Sequence, residues 1–206
     1  MRALPDDVIR PLAFRSDGEL VEAIVGNGDP DAKHRLFEKY APYVARVLIR
    51  CLGASDDISD LVHEVFVIAF RDLKKLREAA AVKGWLASIA VNVARGFLRH
   101  KRRRRWLDLF APDDLPEPPG PTRDDDAREA IRATYAILDG MRDDERVAFA
   151  LRFIDQMELT EVAEACNTSL ATIKRRLIKA QQAFVAAARG NAHLERWLAE
   201  GRWGAP

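Results

Sequence analysis

Residues 159–188 read LTEVAEACNTSLATIKRRLIKAQQAFVAAA, and the way this stretch folds decides the architecture of the chain. Leu159, Val162, Ala163 and Cys166 recur at helical spacing, which predicts a short helix that buries them. Asn167 stands where the chain must leave that helix, and asparagine tolerates the left-handed conformation such an exit uses. Ser169 is placed to accept from the free amides that open the next helix. There Leu170, Ile173, Leu177, Ala180 and Phe184 form one apolar stripe. Ala171, Arg175, Ile178, Lys179 and Gln182 occupy the opposite face, flanked by Thr172, Lys174 and Arg176, and no acid occurs from Leu170 to Arg189. A short helix, a three-residue turn and a longer helix with a cationic outer face suit the major groove of duplex DNA. Arg and Lys bond guanine edges there, and Gln pairs with adenine. Ser169, Ala171, Thr172, Lys174, Arg175, Arg176 and Lys179 are therefore candidate duplex contacts. The same geometry also serves as plain helix packing.

Upstream, VARGFLRHKRRRRWLDLFAPDDLPEPPGPTRDDD (93–126) passes from five consecutive basic residues, Lys101 to Arg105, into a run of acids, prolines and glycine. Prolines remove backbone donors and push their predecessors toward extended geometry, and the acids repel one another. The stretch 107–126 is expected to be an acidic, Pro-rich linker between two helical halves. The expected division is an N-terminal extension (1–24), a first domain (25–106), the linker (107–126), a second domain (127–189) and a C-terminal extension (190–206). Within the last of these, Leu194, Trp197 and Leu198 suggest a short amphipathic helix, packed on the second domain or offered to a regulator.

The first half predicts three amphipathic helices on one core. DAKHRLFEKYAPYVARVLIRCLG (31–53) carries Leu36, Phe37, Tyr40, Val44, Val47, Leu48 and Cys51 on one side. DDISDLVHEVFVIAFRDLKKL (56–76) has Ile58, Leu61, Val62, Val65, Phe66, Ala69, Leu73 and Leu76 at i, i+3, i+4 spacing, with Asp56, Asp57 and Asp60 at the positive end of its dipole. Its outer stripe is Asp60, Glu64, Val67 and Arg71. GWLASIAVNVARGFLRHKRRRR (84–105) buries Leu86, Ile89, Ala90, Val93 and Phe97. Opposite them Ser88, Asn92, Arg95, Arg99 and Arg102 form a ridge, polar at its start and cationic at its end, with Arg103 beside it. Such a ridge can track phosphates, with Ser and Asn available for bases. Lys83 and Trp85 lie at its start, where an exposed indole could stack an unpaired base, or Trp85 could simply belong to the core.

The 206 residues, 48% hydrophobic with a net charge of +1, are enough for two small cores, so wholesale disorder is excluded. Cys51 and Cys166, far apart and in no CxxC pattern, are expected to be reduced and buried. No signal peptide is read in residues 1–24, and no apolar run approaches a membrane span, so a cytoplasmic protein without membrane insertion is expected. No HExxH, Gly-rich phosphate loop or G-x-S-x-G occurs. The sequence calls for no metal, no cofactor and no catalytic residue, although an enzyme built on a pair such as His63–Glu64 is a remote rival.

Taken together, these motifs resemble extracytoplasmic-function (group IV) RNA polymerase sigma factors of the sigma-70 superfamily. DISDLVHEVFVIAFRDLKKL is similar to that family's region 2.2, VKGWLASIAVNVARGFLRHKRRRR to regions 2.3 and 2.4, and MELTEVAEACNTSLATIKRRLIKAQQAF to region 4.2, with its Thr172–Leu177 run. Three positions depart from the pattern: His63 for Gln, Val91 for Arg and Gly96 for an acid. The resemblance implies an all-α protein with a region 2 bundle and a region 4 helix-turn-helix. It implies no enzymatic activity, and partnership with core RNA polymerase, promoter DNA and an anti-sigma factor. Asp60, Glu64, Val67 and Arg71 would then meet polymerase. Lys83, Trp85, Ser88, Asn92, Arg95, Arg99, Arg102 and Arg103 would meet the melted −10 element, and the helix around Arg175 the −35 duplex. The acidic linker would thread the polymerase. A stand-alone helix-turn-helix repressor is the rival reading, and it would bind DNA as a dimer without polymerase.

Overall fold

Helix α1 (Asp17–Asn27) begins where Ser16 Oγ accepts from the Glu19 amide at 3.2 Å, and it ends at Gly28, whose φ of 72° suits a residue without Cβ. The computed structural model describes residues 16–107 and 125–199, with side chains over 16–104 and 127–195. The interior of the expected linker and the outer parts of both extensions lie outside the described residues. Helix α1 starts upstream of position 25 and buries Leu20, Val21 and Ile24 against α2 (Pro30–Leu52). Asp17 fixes this contact, because its carboxylate accepts from Tyr40 Oη and Lys39 Nζ, both at 2.7 Å. Burial, followed by this carboxylate, pushes the Tyr40 phenol well above its ordinary range.

Helix α3 (Ile58–Asp72), two single 3₁₀ turns (Leu73–Lys75 and Ala79–Ala81) and α4 (Val82–Leu107) complete the first bundle. Most of its predicted core is sealed: Leu36, Val44, Val47, Leu48, Val65, Phe66, Leu73, Leu86 and Ala90 are essentially inaccessible, whereas Phe37, Ile58, Leu76 and Phe97, expected in the same stripes, pack against its edge and are half-buried. Helices α5 (Asp125–Asp139), α6 (Asp143–Phe149), α7 (Leu159–Ala165), α8 (Leu170–Ala188) and α9 (Ala192–Ala199) follow. The helix that opens at Asp143 leaves α-geometry after Phe149 and closes with a wider π turn over Ala150–Ile154. The second half has a core of its own, in which Phe149 stacks on Phe184 at 4.8 Å, with Tyr135, Leu138 and Met141 around them. Leu194 of α9 is buried in that core, so this residue of the C-terminal extension packs on the second domain.

The two halves do not stand apart. The larger core continues from the first bundle through Val147, Leu151, Met157, Val162, Cys166, Ile173 and Leu177 of the second. The seam is also capped. A helix leaves its last carbonyls without internal partners, and those of α2 are taken by the other half. The Tyr135 hydroxyl lies 3.0 and 3.3 Å from the carbonyls of Ile49 and Arg50. Arg146 donates to the carbonyls of Cys51 and Leu52, each at 2.8 Å, and also binds Asp139. Arg146 is 3% exposed. Asp155 adds ion pairs to Arg46 and Arg50 at 3.3 and 3.8 Å.

Gly96 lies inside α4, where glycine costs about 1 kcal/mol relative to alanine. A Cβ built there meets only Arg99 Nη2, at 4.0 Å. Gly96→Ala should therefore raise stability by up to about 1 kcal/mol, read as a higher urea midpoint. A lower midpoint would show that something approaches this backbone closely.

Candidate nucleic-acid and polymerase interfaces

The turn between α7 and α8 forms as the residue types require. Asn167 adopts φ 47°, and Ser169 Oγ accepts from the Thr172 amide at 3.3 Å. Ile173, Leu177, Ala180, Phe184 and Ala188 of α8 are buried. Leu170, expected in that stripe, is instead 38% exposed. As the first residue of α8 it precedes the turn that packs. Ser169, Ala171, Lys174, Arg175 and Lys179 are exposed, and Thr172 and Arg176 are half-buried. Arg175 Nη2 lies 3.4 Å from Thr172 Oγ1, so its guanidinium rests along the open face. Ile178 shares this face at 45% exposure. An apolar side chain among cations is suited to a thymine methyl.

Helix α4 is covered more widely than its single expected stripe. Ala87, Val91, Ala94 and Leu98 are also buried, at steps of 4, 3 and 4. Ala87 lines a groove with Met157, Glu161 and Ala165, and Leu98 lines a small cavity with Leu138, Met141 and Arg146, so this second stripe faces the second domain. The expected ridge is split as a result. Asn92, Arg99 and Arg103 are exposed and Ser88 is half-buried, its hydroxyl donating to the Trp85 carbonyl at 2.7 Å. Arg95, expected to be open, has only 12% of its side chain exposed and sits 3.0 Å from Asp144 Oδ1. Its Nη1 donates to the Cys166 carbonyl at 3.4 Å. Arg102 is over half exposed but pairs with Asp143 at 2.8 Å. Both arginines occupy the side of the ridge nearest the second stripe, which is why the second domain reaches them first.

Trp85 is half-buried, so it is neither free nor sealed in the core. It stands between two grooves. One, about 520 Å³, is lined by Tyr43, Lys75, Lys83, Ser88, Glu161 and Glu164. The other, about 600 Å³, runs between α3 and α4 past Glu64, Ile68, Asn92 and Phe97. Lys83 Nζ lies 5.0 Å from the centre of the Tyr43 ring, a cation–π contact that holds it beside the first groove.

On α3, Asp60, Glu64, Val67 and Arg71 are all exposed, Val67 at 67%. Arg71 turns sideways to Asp72, at 3.2 Å. The hydrogen bond from Arg71, then that from Lys75, hold the Asp72 carboxyl below the usual range. His63 does not join Glu64 in a reactive pair. Its Nδ1 lies 2.8 Å from the Ser59 carbonyl and its ring packs 5.7 Å from that of Phe37.

Both cysteines are free and buried. Burial pushes the Cys51 thiol up to about 12 and raises that of Cys166, so both stay protonated and unreactive at neutral pH. Among the described residues no group of His, Cys, Asp and Glu could hold a metal ion, and no helix is long and apolar enough to cross a membrane.

A cationic, N-capped helix after a tight turn, paired with a second helix bearing asparagine and arginines, defines a two-domain helical DNA reader. Comparison with known proteins makes the class specific. The pattern of sigma-70 region 2 matches residues 36–104, and that of sigma-70 region 4 matches residues 131–182. The ECF RNA polymerase sigma-E factor of Haemophilus influenzae is 28% identical over 176 residues, covering 81% of this chain and 92% of that protein. That of Escherichia coli K12 is 29% identical over 178 residues, covering 82% and 92%. Two solved structures share the fold, both with a TM-score of 0.57. CnrH in complex with the cytosolic domain of CnrY is 21% identical, covering 84% of this chain and 97% of that one. RpoE from Bartonella quintana, in complex with the anti-sigma factor NepR, is 19% identical, covering 77% and 97%. The chain belongs to the sigma-70 family, as an ECF-type RNA polymerase sigma factor that directs transcription initiation at promoters.

Proposed function

We propose that the labour of promoter recognition is divided between the two domains by residue. The exposed, acid-free face of α8 carries this reading. Ser169, Ala171, Thr172, Lys174, Arg175, Arg176 and Lys179 read the −35 element as duplex, and the capped N-terminus of α8 enters the major groove. Lys83, Trp85, Ser88, Asn92, Arg95, Arg99, Arg102 and Arg103 engage the melted −10 strand. Trp85, between its two grooves, offers a stacking surface beside cations, and stacking supplies about 1–3 kcal/mol per base toward opening the duplex. Asp60, Glu64, Val67 and Arg71 dock on core polymerase, an exposed stripe with one apolar member. The protein works in the cytoplasm. An anti-sigma factor holds it inactive, a reading supported by the pairing of the similar RpoE with the anti-sigma factor NepR.

In vitro transcription with purified core polymerase and a promoter library tests the whole reading. Arg175→Ala tests its sharpest part. It should cost about 1–3 kcal/mol at promoters carrying the preferred −35 base and much less at those lacking it. An equal loss on every promoter would reduce Arg175 to a phosphate contact.

A further inference from the structure

Three of the arginines assigned above to DNA are already occupied, and by the same turn of chain. Asp143 and Asp144 open α6. Asp143 Oδ1 accepts from Arg102 of α4 at 2.8 Å. Asp144 holds two helices at once: Oδ1 lies 3.0 Å from Arg95 Nε on α4, and Oδ2 accepts from Arg176 Nη2 on α8 at 2.8 Å. One carboxylate thus joins the −10 helix to the −35 helix, and its neighbour takes the next arginine along the first. Glu161 and Glu164 of α7 line the groove that also holds Lys83 and Trp85.

We propose that Asp143 and Asp144 form an internal latch in which two carboxylates stand where DNA phosphates would, holding the free chain closed with Arg95, Arg102 and Arg176 unavailable. This rests on the assignment of those arginines to DNA. The latch is held short of full satisfaction. Arg95 Nε, close to Asp144 as an ion pair only, Arg95 Nη2 and Arg176 Nη1 are buried without a hydrogen-bond partner, and leaving a buried donor unsatisfied is costly. A backbone phosphodiester brings the same charge as the carboxylate it replaces, and the strand supplies further phosphates in series that can reach the donors Asp143 and Asp144 leave unpaired. Opening therefore exchanges an incomplete set of contacts for a fuller one. The apparent affinity of the free chain for promoter DNA is reduced by the fraction of molecules that are closed.

The test uses the full chain with Asp143→Asn and Asp144→Asn together. Glu145→Gln is the control on the same turn. Asparagine keeps the size of the residue it replaces and gives up its charge, a loss from the first turn of α6 that the Glu145→Gln control reproduces, and the single Asp144→Asn is carried alongside in case the pair fails to fold by circular dichroism. Opening is read without DNA, from the alkylation rate of buried Cys166 and the radius of gyration in solution. Masking is read from binding to a fork-junction promoter fragment at fixed salt, without polymerase. The latch predicts faster alkylation, a larger radius and about tenfold tighter DNA binding in the Asn variants, with Glu145→Gln unchanged. Unchanged alkylation and radius overturn the latch and leave the promoter assignments standing. Opening without tighter DNA binding also overturns the proposal, and in addition removes Arg95, Arg102 and Arg176 from the DNA surface.

Discussion

Replacing Arg146 with alanine should remove about 3–5 kcal/mol from the stability of the folded chain, the range seen when one partner of a buried ion pair is deleted. The size follows from what the guanidinium holds. Asp139, only 12% exposed, loses its ion pair with Arg146. The carbonyls of Cys51 and Leu52 lose the donor that ends α2. Because those carbonyls belong to the first domain and Arg146 to the second, the damage falls on the seam. Urea unfolding followed by circular dichroism should show a lower midpoint and a broader transition than the parent, as the two cores part company. Arg146→Lys should recover little. An ammonium is a compact point charge and cannot present a planar fork to three acceptors in different directions. A loss below about 1 kcal/mol for Arg146→Ala, within the range of an exposed pair, would mean that water reaches Asp139 and the α2 carbonyls.

Arg146 also marks the limit of what the sequence made legible. Helix faces, the left-handed Asn167, the Ser169 cap, most of the first core and the buried stripe of α8 follow from local spacing, and local spacing is what periodicity reports. The docking of the halves is a non-local event, and its signals were overlaid on stronger ones. The second stripe of α4, Ala87, Val91, Ala94 and Leu98, has regular spacing. It lies beside a more hydrophobic stripe, and small residues such as alanine are read as neutral filler. Val91, which stands where the family pattern has arginine, is fully buried, so an arginine there would be a charge without water. Asp143 and Asp144 match the ordinary preference for acids at a helix start, which hides their second use against Arg95, Arg102 and Arg176. Gln156, with φ 58°, follows a π turn that no residue type announces. The candidate surfaces were legible as types and faces. Which of their members the partner domain covers was not.

The largest functional effect should come from reversing the acidic stripe of α3. Asp60 and Glu64 are one turn apart, exposed, and followed at the next turn by Val67, the most exposed large apolar side chain among the described residues. Two carboxylates beside an uncovered valine describe a patch that meets a basic surface with an apolar contact at its edge. Asp60→Arg with Glu64→Arg turns each attraction into a repulsion, and like-charge juxtaposition costs several kcal/mol. The double variant should bind core polymerase at least about a hundredfold more weakly, close to 3 kcal/mol, as seen by loss of the complex on gel filtration and by titration with labelled protein. Folding should be almost untouched, because neither carboxylate packs in the core, although α3 loses a favourable charge from its first turn at Asp60, worth about 0.3–1 kcal/mol. Val67→Ser should weaken the complex on its own without altering the charge balance. If the doubly reversed chain still comigrates with core polymerase, polymerase does not grip this face of α3. The groove between α3 and α4, which shares Glu64 with the stripe, would then be the next surface to test.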